Sequence, residues 1–162
     1  MKRSFRALWL SAFPLALVVA AQLGGATVAE RLAQYGPAAR HRLRPHFASH
    51  SVAYPPHRVT LVAIKRDARL HLYAGGSETS QKVIRSYPIL AASGELGPKL
   101  RQGDQQVPEG LYRIELLNPN SRFHLSLRLN YPNEFDRRMA RADGRSRLGG
   151  GIMIQGHQVS MR

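Results

Sequence analysis

Cysteine is absent from all 162 residues. Its absence excludes disulfides, thiolate metal sites and a cysteine nucleophile within them. Acidic side chains are scarce, with 10 Asp+Glu against 24 Lys+Arg and a formal charge of +14. An excess of this size favours polyanionic surroundings, whether nucleic acid, anionic lipid or an acidic wall polymer. No set of His, Asp and Glu has metal-ligand spacing, so neither a metal nor another cofactor is expected. Gly97-Pro98-Lys99 lacks the glycine–lysine spacing of a phosphate-cradling loop. There is no internal repeat and no low-complexity tract. The length suits one modest domain with an N-terminal appendage.

What is present begins with an export pattern. Met1 to Arg6 is basic, and Ala7 to Ala21 is apolar apart from Ser11. A basic flank before an apolar run is the form of a secretory signal, with Val19-Ala20-Ala21 or Gly24-Gly25-Ala26 as small-residue cleavage positions. Carried on to Ala26, the run approaches the ~20 residues that span a bilayer, so an uncleaved membrane anchor through residues 7–26 is the alternative. Residues 1–26 are therefore expected to be a signal peptide or an anchoring apolar helix. The remainder is expected in the cell envelope, in the periplasm or on the outer face of the inner membrane. Export argues against a nucleic-acid partner. So does the lack of a DNA-reading motif and of the aromatic interleaving used by single-strand binders.

Residues 27–56 read as a basic helical linker. Val28, Leu32 and Tyr35 share one helical face, and Gly36-Pro37 should end that helix. Ala38 to Phe47 reads as a second short helix, with Leu43 and Phe47 four apart. Arg40, Arg42, Arg44, His41 and His46 give it a solvated basic face, or an arm against anionic lipid or wall polymer. Tyr54-Pro55-Pro56 cannot be helix interior and marks the expected boundary.

Residues 57–162 read as a mainly β domain. Val59–Ile64 and Arg69–Tyr73 form a hairpin around Lys65–Ala68. Val83–Leu90 and Leu111–Leu117 are further strands. Phe123, Leu125, Leu127 and Leu129 alternate with His124, Ser126 and Arg128, which predicts a leucine face turned inward and a polar face turned outward. His71 and His124 fall on polar phases and should lie at the surface. Asn133 can cap a helix that buries Phe135, Met139 and Ala142 and ends at Gly144. Arg137, Arg138, Arg141, Arg145 and Arg147 should follow its solvated outer face. Residues 93–110 form a long glycine-containing surface loop, a type that is commonly functional or mobile.

Several of these stretches carry a resemblance. Ile64-Lys65, Leu70-x-Leu72-Tyr73, Gly97-Pro98-Lys99, Gly103-Asp104, Pro108-Glu109-Gly110-x-Tyr112, Tyr131-Pro132-Asn133 with Asp136, and Ile152-x-Ile154-x-Gly156 with Ser160 stand in that order. Together they resemble the L,D-transpeptidase (YkuD) catalytic domain, in the branch that includes YafK-like envelope proteins. The resemblance runs from about Val59 onward. It implies a mixed β-sheet or sandwich domain with short helices, acting on peptidoglycan stem peptides. The implied reaction is acyl transfer. A thiolate attacks a stem-peptide amide, D-alanine leaves, and the acyl group passes to a neighbouring amine or, in hydrolytic members, to water. Such chemistry needs an activated nucleophile, a nearby base and N–H groups for the oxyanion.

The family's closing motif places a histidine at Gln155, followed by Gly156 and then by the serine Ser160. Its cysteine would fall just past Arg162. Lys99, Asp104 and Gly156 are the implied substrate-binding positions. An amide at Gln155 hydrogen-bonds but does not titrate usefully. His157 is a weak substitute base, since two residues along a strand move a side chain by about 6.5–7 Å, beyond proton-transfer tolerance. Ser160 would need a close base to act as nucleophile. The sequence therefore leads to the expectation of a family member inactive as written, a truncated or frameshifted chain with unpaired strand edges and marginal folding. The alternatives are a non-catalytic peptidoglycan-binding protein and a hydrolase-type member.

Overall fold

The structure, a computed structural model, describes residues 25–156. The apolar segment before Gly25 lies outside the described residues, as do His157 and Ser160. Among the described residues no helix is long and apolar enough to cross a membrane.

The described residues are mainly β, with two helices in the order α1 (Val28–Ser49), β1 (Arg58–Ile64), β2 (Arg69–Gly75), β3 (Lys82–Pro88), β4 (Ile114–Ser121), β5 (His124–Leu129), α2 (Glu134–Ala142) and β6 (Met153–Gln155). The strands form two three-stranded sheets, β1-β2-β3 and β4-β5-β6. The resemblance led us to expect mixed sheets. Every pairing among the described residues is instead antiparallel. The local reason lies in the connections. Lys65–Ala68 and the turn after Ser121 are too short to carry a strand back in the same direction, which needs a crossover of a dozen or more residues.

Helix α1 departs from the expected pair of short helices. It runs unbroken for 22 residues with Pro37 and Pro45 inside it. Proline cannot donate to the carbonyl four residues back and usually breaks a helix. Here tertiary contacts at both ends outweigh that cost. The start is fixed by a capping box, in which the Glu30 N–H donates to Thr27 Oγ1 (3.2 Å) and the Thr27 N–H donates to Glu30 Oε2 (2.7 Å). Arg31 Nε then donates to the Pro119 carbonyl (2.8 Å), and the Tyr35 ring lies 4.1 Å from that of His124. At the other end Phe47 is buried with Ala74 and Ile84, and Lys82 Nζ donates to the His50 carbonyl (2.8 Å). Both prolines lie on the exposed side of the helix.

One residue of β5 departs from the expected alternation. His124 and Ser126 share the polar phase of the strand, yet Ser126 is the deepest residue of its sheet, at 1% exposure. The leucines Leu125, Leu127 and Leu129 are only half-buried. His124 and Arg128 are exposed, as the alternation predicts, while Ser126 lies in the middle of the central strand, paired with Asn118 and Gln155. His124 does lie at the surface, stacked on Tyr35, and His71 is half-buried with Nδ1 2.6 Å from Ser86 Oγ.

Burial is concentrated in two small clusters. One is Phe47, Ala74 and Ile84, flanked by Leu43, Val52, Tyr54 and Leu72. The other is Tyr131, Ala140 and Leu148, flanked by Tyr112 and Ile152. Helix α2 has the expected Asn133 cap, and Gly144 follows its end at φ +68°, where glycine is favoured. Its buried side is Ala140, however, while Phe135 and Met139 are 58% and 41% exposed. The small alanine faces Tyr131, so the helix sits close to the cluster and its larger residues fall to the sides.

The Phe47 cluster sets the first test. Truncation in a well-packed core costs about 3–5 kcal/mol for Phe→Ala. Phe47→Ala should lower the urea midpoint strongly. Leu32→Ala, at a position 49% exposed on the same helix, should shift stability by no more than about 0.5 kcal/mol.

Candidate functional site

The segment between β3 and β4 contains no strand or helix, and side chains from the rest of the chain fix its course. Lys65, just beyond β1, donates from Nζ to the carbonyls of Gly97 (2.5 Å) and Val107 (3.0 Å). The same ammonium lies 3.1 Å from Glu109 Oε1, which also accepts the Gly97 N–H at 3.1 Å. One half-buried cation thus holds both arms of the loop together.

At the tip of the loop Lys99 and Asp104 engage each other. Lys99 Nζ lies 2.6 Å from Asp104 Oδ1, with the two side chains only 7% and 13% exposed. Asp104 Oδ2 accepts the N–H groups of Leu100 and Arg101 at 2.8 Å each, and Oδ1 accepts that of Gln106 at 3.1 Å. Lys99 donates again to the Arg101 carbonyl (2.9 Å). Burial alone would raise the Asp104 pKa. The Lys99 ammonium and three backbone donors outweigh it and hold the carboxyl well below the usual carboxylate range. Both side chains are occupied in shaping the loop.

The loop connects to α2 through two tyrosines. Tyr131 donates from its hydroxyl towards the carbonyls of Lys99 (3.3 Å) and Leu148 (3.4 Å). Its ring meets Tyr112 edge-on at 5.9 Å. The Tyr112 hydroxyl donates to Asp136 Oδ1 (3.0 Å), while Asp136 Oδ2 accepts the Asn133 N–H (2.8 Å) in the capping box of α2. Asn133 Nδ2 reaches back to the Leu111 carbonyl (3.0 Å). Burial, with the Asp136 carboxylate adding to it, raises the pKa of both phenols. Each stays protonated at neutral pH and acts as a donor.

A third side is the glycine run before β6. The Gln102 N–H donates to the Arg147 carbonyl (2.8 Å), and Arg145 Nη1 donates to the Leu100 carbonyl (2.8 Å). Gly149 has φ +74°, and a Cβ there would come within 3.2 Å of Gln102 Cα. Only glycine combines that conformation with so close an approach. The run leads into β6, where Ile154 pairs with Leu127 and Gln155 pairs with Ser126. Gln155 and Gly156 are both exposed.

The structure therefore brings Lys99 and Asp104 into direct contact, with Gln155 at the end of β6 and Gly156 just after it. No hydrogen bond or ion pair among the described residues joins the two groups. Lys65, Glu109 and Tyr131 complete the framework. Sequence reasoning had quoted them only as parts of motifs, with no roles. Their pairing over 12 to 44 residues leaves no local spacing to read. Among the described residues no group of His, Asp, Glu or Cys could hold a metal ion.

Two tests follow from this framework. Asp104 has a depressed pKa, so its contribution to stability is complete above its unfolded value of about 3.9. That contribution is lost as pH falls from there towards the folded value. Asp104→Asn should lower the urea midpoint at pH 6, and the gap from the parent should narrow below about pH 4. Tyr112→Phe removes a hydrogen bond to a carboxylate and should cost about 1.5–3 kcal/mol in urea unfolding.

No family model matches the chain. Over 81 residues it is 40% identical to the protein named "Putative L,D-transpeptidase YafK" of Escherichia coli K12, and equally so to that of Escherichia coli O157:H7. The matched segment is 49% of this chain and 32% of either relative, so the match spans about a third of the curated relatives' length. A solved structure, that of Bdellovibrio bacteriovorus Bd1075, is similar over 68% of this chain and 37% of its own, with 23% identity and a TM-score of 0.44.

Proposed function

We propose that this chain carries an L,D-transpeptidase-type domain of the cell envelope that binds peptidoglycan stem peptides. The observation that carries this reading is the 40% identity over 81 residues to relatives bearing that name. A second supports it. Lys65, Lys99, Asp104, Glu109, Tyr112, Tyr131, Asn133 and Asp136, which come from separate motifs of the resemblance, form two hydrogen-bonded groups that meet at the edge-on contact of the Tyr112 and Tyr131 rings.

In this reading Lys99 and Asp104 serve binding indirectly, by fixing the loop that borders the site. The glycine run and β6 form the opposite border, and the Gln155 amide offers a donor and an acceptor to a peptide backbone. These 162 residues contain no thiol, and the position that the family fills with histidine is Gln155. Acyl transfer through a thiolate is therefore not a property of these residues on their own. The framework itself offers no substitute. Asp104 stays ionised and both phenols stay protonated near neutral pH, so none is poised to exchange a proton there.

The test uses purified protein with tetrapeptide-bearing muropeptides. Saturable binding is expected, without release of D-alanine and without new 3-3 crosslinks. Turnover that disappears in His157→Ala or Ser160→Ala would overturn the non-catalytic part of the proposal. Retention on purified wall no greater than that of a charge-matched control protein would overturn the binding part.

A further inference from the structure

The five arginines on and after α2 do not form the uniform solvated face that their spacing suggests. Arg138 lies over the Phe135 ring, 5.6 Å from its centroid. Arg145 is fixed by Asp143 Oδ2 (2.5 Å) and by the Leu100 carbonyl (2.8 Å). Arg137, Arg141 and Arg147 have no acidic partner among the described residues. Together with Arg145 these three line a concave cleft of about 560 Å³, floored by the buried Ala140 and Leu148. No Asp or Glu lines it.

Arg145 is balanced by Asp143, and the three remaining guanidinium groups around the cleft repel each other. Arg137 and Arg141 are also four apart on one helix, a like-charge spacing that destabilises the helix itself. A bound anion would relieve both costs. The cleft volume is typical of a small-molecule site and larger than a bare ion needs. Arg145 spends its donor fork on Asp143 and the Leu100 carbonyl, and its three neighbours offer the planar donor forks of the kind that match phosphate oxygens. A phosphomonoester carries about −1.5 to −2 at neutral pH, and so balances more of this positive charge per unit volume than a single carboxylate does.

We propose that the cleft between α2 and residues 145–149 binds the phosphate group of a phosphorylated ligand, held by Arg137, Arg141 and Arg147, with the anchored Arg145 at its edge. The cleft adjoins the glycine run at Gly149, and phosphate binding there does not depend on the stem-peptide reading. The site stands or falls on phosphate binding, whatever muropeptides do.

The experiment is calorimetric titration of the full chain with inorganic pyrophosphate at low and moderate salt. Saturable one-site binding is expected, weakened at least tenfold by Arg137→Gln/Arg141→Gln. Arg40→Gln/Arg44→Gln, which removes the same charge from the outer face of α1, should change affinity less than twofold. Arg147→Gln lies outside both helices and gives the same reading if the α2 variant does not fold. Equal losses in the α1 and α2 variants would overturn the proposal, since they would indicate charge alone. Absence of saturable binding, or glutarate binding as tightly as pyrophosphate, would also overturn it. Vesicles containing phosphatidic acid distinguish the source of the phosphate. Retention that pyrophosphate competes away supports a lipid headgroup. Pyrophosphate binding without vesicle retention supports a soluble ligand.

Discussion

Helix α1 has to satisfy two sheets at once, and the arrangement of the molecule depends on that constraint. Its first half reaches β4 and β5 through Arg31 and Tyr35, and its last turn closes on β2 and β3 through Phe47. A break at Gly36-Pro37 would separate these two contacts. The helix instead keeps both prolines on its solvent side and continues. Convex faces of long helices commonly look outward, where backbone groups can turn to water. The intrinsic cost of proline is a local term, and packing at two ends of one rod outweighs it.

A second constraint works on a shorter scale. The loop between β3 and β4 has no ladder of its own, so its backbone groups need partners from side chains. Lys65 and Asp104 supply five of these bonds, one as a donor to two carbonyls and the other as an acceptor of three N–H groups. The two tyrosines then tie that loop to the cap of α2. Removing either charge would leave buried polar groups without partners, which costs more than the loss of an ordinary hydrogen bond. The motifs that suggested a function therefore act first as structure. They hold a loop, a helix start and a glycine run in fixed relation.

Burial is shallow by comparison. Only a few apolar side chains are fully enclosed, while Leu90, Leu96 and Leu111 are 65%, 63% and 95% exposed. Specific polar contacts thus carry much of the definition of this fold, and stability should be sensitive to pH and to single polar substitutions.

The mainly β character, the β1–β2 hairpin, the cap of α2 and the set of motif residues around the loop were legible in the sequence. Each of these rests on interactions a few residues apart or on a period of two, which a linear reading can see. It did not reveal that α1 is continuous, that Ser126 lies deeper than its leucine neighbours, or that Ala140 is buried while Phe135 and Met139 are not. Nor did it separate the arginines after Asn133 into one stacked, one anchored and three lining a cleft. Those outcomes depend on which face meets which, between residues tens of positions apart. Periodicity identifies two faces of a strand or helix, but only the tertiary packing chooses between them.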